Sequence, residues 1–197
     1  MNESRKSKFK YILRLIICVS LIVILSFTPD TGFIQHNYLT ISLVSIVVIL
    51  SAINDGYIAG IVCGLAFGAC SFVVANNYDM NPIDDIFTNV FVAIIPRVFL
   101  GIASAFTYKI LIKIFKTKWL SSMITSIICL ASTVIIIFMM AYFLESKILI
   151  DIYNESNPLY LFFQYVQYAT LIETSIITVI IGIIMLVHKF FSKNEND

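Results

Sequence analysis

Six apolar stretches recur along the chain, separated mostly by short polar links. The hydrocarbon core of a bilayer is about 30 Å thick and takes about 20 apolar residues to cross as a helix. The stretches fall at residues 11–27, 39–53, 56–75, 87–111, 119–144 and 168–187. One soluble core cannot hide them, because 59% of the 197 residues are apolar and only 13% charged. The expected fold is therefore an all-α integral membrane protein, one domain of six transmembrane helices over residues 1–197. The basic run Arg5-Lys6-Ser7-Lys8 before the first stretch has the order of a signal peptide. No small-x-small cleavage site follows, and Ser26-Phe27-Thr28-Pro29 stands there instead, so the stretch reads as a retained helix.

Six crossings put both termini on one side. Arg5, Lys6, Lys8, Lys10 and Arg14 flank the first helix, Lys109, Lys113, Lys116 and Lys118 follow the fourth, and Lys189 and Lys193 follow the sixth. All eleven fall on that side; Lys147 alone falls on the other, among Asp30, Asp79, Asp84, Asp85, Glu145, Asp151 and Glu155. Basic residues favour the cytoplasmic face, so cytoplasmic termini are expected. The outer loops are then residues 28–38, 76–86 and 145–167.

Several chemistries find no support in the sequence. Cys18, Cys63, Cys70 and Cys129 all lie in apolar runs without a CxxC pair, which argues against a zinc site or a disulfide framework. His36 and His188 fall on opposite sides, and neither HExxH nor GxSxG occurs. No acidic pair is expected buried across two helices at metal-ligand distance, and no nucleotide-binding motif or internal repeat is present. The expectation is a non-enzyme with no cofactor, no metal and no nucleic-acid partner, acting within the bilayer.

Three features stand out inside the apolar runs. Gly56, Gly60, Gly64 and Gly68 are spaced four apart behind Ala52, with Gly101 and Ala105 as a small pair on the fourth helix. Such a stripe serves close packing within the chain or contact with another membrane protein. Pro96-Arg97 places a guanidinium inside an apolar run, where it needs a cavity, a carboxylate or the outer interface. Glu173, the one charge inside the sixth run, is a possible salt-bridge partner for it, and an anionic ligand is another. Tyr160, Gln164, Tyr165, Gln167 and Tyr168 interleave rings and amides before the sixth helix, as either a ligand wall or an interfacial belt. Asn76 and Asn77 lie in an outer loop that could cap such a pocket.

The third and fourth spans resemble a known family. Residues 58–72, IAGIVCGLAFGACSF, precede a loop with Asn81-Pro82, followed by Ala93-Ile94-Ile95-Pro96-Arg97-Val98-Phe99-Leu100-Gly101 and Tyr108-Lys109. This region, about Ser51 to Lys113, is similar to the substrate-binding (S) components of energy-coupling factor (ECF) vitamin transporters, in the pantothenate- and folate-type branch. The resemblance implies a multi-pass subunit of the bacterial plasma membrane that binds a vitamin-like molecule at its outer face. It also implies partners: a transmembrane coupling subunit and two ATPase subunits, with the lipid bilayer around them. The ligand would then be carboxylate-bearing, with its acid on Arg97 and its body against Gln164, Tyr165 and Tyr168. The first helix departs from the family's small-xxx-small pattern, with Cys18 followed by Ile22 and Ser20 by Ile24. Two other readings stand beside it: a non-transporting membrane scaffold or regulator pairing through the glycines, and a stand-alone permease or channel using the fifth helix's hydroxyls.

Overall fold

The computed structural model describes residues 3–28, 31–36, 39–78, 82–144 and 158–194. Helix α1 (Glu3–Phe27) leads into a hairpin of β1 (Phe33–His36) and β2 (Leu39–Ser42), then α2 (Val44–Asp55) and α3 (Tyr57–Asn77). A 3-10 helix (Pro82–Thr88) precedes α4 (Val90–Phe115), α5 (Lys118–Leu144) and α6 (Pro158–Asn194). Among the described residues, five helical segments are long and apolar enough to cross a membrane: Ser7–Phe27, Tyr57–Asn77, Val90–Phe115, Lys118–Leu144 and Leu171–Lys189. The helical membrane bundle expected from the apolar runs is the architecture found.

The second run, residues 39–53, differs from the expected span. Its first four residues form β2, antiparallel to β1 with Phe33 opposite Ser42 and Ile34 opposite Ile41. A short apolar run reads equally well as strand or helix, and Leu39-Thr40-Ile41-Ser42 alternates with strand period. The remaining helix, α2, has 12 residues, about 18 Å of length, too little to span alone. It is also buried all round: Val44, Val48 and Ile49 have no exposed surface. A helix encased by its neighbours need not match the lipid thickness. The sixth run differs at its start, because residues 158–167, expected in a loop, already belong to α6, which opens on Pro158 at a helix-compatible first position.

Helices α3 and α4 run antiparallel. A Cβ added to Gly64 would stand 2.5 Å from the Arg97 carbonyl oxygen, and one on Gly68 would stand 2.7 Å from the Ile94 Cα. Gly60 meets Gly101 in the same way, so α3 and α4 touch backbone to backbone along a seam only glycine permits. The stripe is therefore occupied inside the chain. Gly56, expected on it, is not part of the seam. No atom lies within 4 Å of a Cβ built there, and its φ of 85° makes it the turn between α2 and α3.

Similar contacts order the rest. Ser126 and Thr178 share a hydrogen bond of 3.0 Å between α5 and α6, and Arg14 of α1 pairs with the buried Asp55 that closes α2. Arg14, Lys109, Lys113, Lys116, Lys118 and Lys189 thus gather at one end of the bundle with the first residues of α1 and the last of α6. Phe9, Ile12, Leu13, Ile16 and Ile17 leave one side of α1 apolar and exposed, as a lipid-facing surface requires.

Candidate functional site

At the end opposite the basic residues the helices part around a cavity of about 90 Å³. A single water needs roughly 10–15 Å³ on this measure, so the space admits a small organic molecule. Its walls come from the hairpin, α2, α3, the 3-10 helix, α4, α5 and α6. Phe67, Val74, Leu100, Leu130, Val134, Ile137 and Phe138 make most of it apolar, and Asp84, Arg97 and Glu173 supply the charge.

Arg97 is 5% exposed and is held by a device built into its own helix. Proline at position 96 has no N–H to give to the carbonyl of Val92, four residues earlier, so that acceptor is left without its helical partner. The Arg97 Nη1 donates to this carbonyl at 2.9 Å. Nη2 reaches the Ser71 hydroxyl on α3 at 3.4 Å. The guanidinium lies 4.0 Å from the Phe87 ring centre and 5.4 Å from that of Phe67. Both are within reach of cation–π attraction, which strengthens where water is excluded. Phe67 in turn stacks on Phe33 of the hairpin, with centroids 6.2 Å apart. Proline and arginine act as one unit: the first frees an acceptor, and the second uses it.

The carboxylates are held by β2. Thr40 donates its hydroxyl to Asp84 Oδ2 at 2.6 Å, and the Ser42 backbone N–H donates to Glu173 Oε1 at 3.2 Å. Thr40 and Ser42 both border the cavity, the first bonding through its side chain and the second through its backbone amide. Among the described residues no ion pair joins Arg97 directly to Glu173, although both line the cavity. Five guanidinium N–H groups and several carboxylate lone pairs exceed the partners just named, so both groups keep capacity for a bound molecule.

Other expected residues lie elsewhere. Asn76 and Asn77 sit at the exposed end of α3, donating to the carbonyls of Phe72 at 2.8 Å and Val73 at 2.7 Å. They finish their own helix and are not among the cavity-lining residues. Tyr160, Gln164, Tyr165, Gln167 and Tyr168 fall within the helical range of α6, but their side chains lie outside the described residues. Most α5 hydroxyls are turned to their own helix: Ser122 donates to Lys118 O, Thr125 to Ser121 O and Thr133 to Cys129 O. Of these, only Thr133 also borders the cavity.

Sequence reasoning did not find Asp84, Phe67, Phe87, Ser71 or the two hairpin donors. Asp84, from the 3-10 helix, joins Glu173 of α6 in lining one cavity. A phenylalanine in an apolar run carries no mark of its role. The usable signal was Pro96-Arg97 itself, since a buried guanidinium implies further polar groups nearby. No protein-family model matches the chain, and neither does any curated protein.

Proposed function

We propose that this chain is the substrate-binding subunit of an ECF-type importer, six-pass in the bacterial plasma membrane with its termini in the cytoplasm. In this reading it captures a carboxylate-bearing vitamin or related micronutrient at the outer face. A transmembrane coupling subunit and two ATPase subunits then drive delivery inward. The observation that carries the reading is the cavity: a buried, pre-positioned guanidinium among aromatic rings, at the end of the bundle away from the basic residues. A ligand acid on Arg97 would gain charge-assisted hydrogen bonds, roughly twice as strong as neutral ones. The seam argues against the scaffold alternative, because the glycines that would meet another protein are already packed against α4.

Reconstitution tests it. Uptake into liposomes should require the coupling subunit and the ATPases in addition to this chain, and ATP-dependent uptake by the chain alone would contradict the reading. Cysteine labelling checks the topology separately. Lys116→Cys should react from the cytoplasmic side and Tyr78→Cys, exposed at the far end of α3, from the outside. Reaction of both from one side would remove the six-pass arrangement.

A further inference from the structure

A single positive group in a cavity would suit a simple acid, but this cavity presents opposite charges that do not neutralise each other by contact. Arg97 comes from α4 and is fixed by Val92 O, Ser71 and the rings of Phe67 and Phe87. Glu173 comes from α6 and is steadied by the Ser42 amide. Buried opposite charges ordinarily close into an ion pair, since each alone is costly to remove from water. These two border the same space without a direct bond, and each is tied to a different part of the framework. Asp84, 3% exposed and bonded to Thr40, adds a second carboxylate to that lining.

We infer that the cavity selects a small amphoteric molecule, one whose carboxylate meets Arg97 while a protonated amine or N–H-rich ring nitrogen at its other end meets Glu173. The inference rests on the reading of the cavity as a ligand site and narrows the class from acids to molecules that also carry a cationic or strongly donating group. Apolar side chains of the same lining, among them Leu100, Val134 and Phe138, suit a flat or hydrocarbon body. An acid without the donor would leave Glu173 buried against an apolar body, the kind of mismatch that binding sites reject strongly. An amine without the acid would leave Arg97 in the same position.

Three probes of one shape separate the possibilities: 4-(aminomethyl)benzoate, with both charges; 4-methylbenzoate, with the acid alone; and 4-methylbenzylamine, with the amine alone. Binding of each to the full chain purified in detergent is read by calorimetry and by the shift in thermal unfolding. The two-charge probe should bind the wild type about tenfold more tightly than either single-charge probe, as one added charge-assisted hydrogen bond implies. In Glu173→Gln its advantage over 4-methylbenzoate should shrink to within about threefold, because the remaining amide bond is neutral. Should Glu173→Gln fail to fold, Glu173→Asp, which draws the carboxylate back by one methylene, tests the same loss of preference. Equal binding of the acid-only and two-charge probes would overturn the amphoteric class and leave the carrier reading standing. An unchanged preference in the Glu173 variant, or no binding by any probe at about 10 mM, roughly 2.7 kcal/mol of binding free energy, would also overturn the class. The carrier reading itself stands or falls on the liposome assay, which uses none of these probes.

Discussion

Toward α3, helix α4 meets its neighbour backbone to backbone; toward the hairpin, α5 and α6, the same helix borders open space. The two faces are made from different materials. The seam uses Gly60, Gly64, Gly68 and Gly101, residues with nothing to contribute except the absence of a side chain. The cavity face uses Arg97, the longest polar side chain available, braced at its tip by Val92 O and its flanking rings. Residue 97 belongs to both, since its carbonyl packs on Gly64 while its guanidinium lines the cavity. A rigid seam on one side is what holds a charged group at a fixed place on the other.

The sharpest way to break the comparison is to remove the charge. Arg97→Ala should weaken binding of 4-(aminomethyl)benzoate to the purified chain by about thirtyfold or more, the usual cost of stripping one member from a buried charged contact. An unaltered dissociation constant would take Arg97 out of the site. Breaking the seam comes next. Gly64→Leu forces a side chain into the Arg97 backbone, and such overpacking costs about 1–3 kcal/mol. The expected result is a lower unfolding temperature in detergent; an unchanged one would mean that the seam is not closed. The smallest effect tests the link between them. Pro96→Ala restores an N–H to compete for Val92 O, so Arg97 loses about 1 kcal/mol of anchoring, roughly a fivefold loss of affinity. Thermal stability should hold or rise, because alanine suits a helix interior better than proline. Affinity and stability falling together would show that the proline serves the helix rather than the arginine.

The parts legible in the sequence were those that depend on period and composition. Glycines four apart announce a close helix contact, and Gly60, Gly64 and Gly68 make one. Gly56 shared the spacing but not the role, because it lies after Asp55 at the turn and its backbone has left the helical region. Residues 39–42 were misassigned because apolar content alone does not separate a strand from the start of a helix. The cavity was legible only at Arg97 and Glu173. Its remaining parts come from six elements, and which phenylalanine or hydroxyl faces inward depends on how those elements pack. Asp84 is the plainest case: beside Asp85 it reads as loop polarity, and the hairpin's Thr40 helps to fix its place.

The bond between Ser42 and Glu173 spans 131 residues, which sets an order of events during synthesis. At about 5–20 residues per second, the hairpin amide waits on the order of ten seconds for its carboxylate to emerge. Arg97 faces no such delay. Val92, Phe67, Ser71 and Phe87 all precede it in the chain, so its described partners have all been synthesised by the time the ribosome reaches position 97. The most costly residue to insert into lipid therefore emerges when every partner described for its guanidinium already exists. The half of the cavity that carries Glu173 closes over it last.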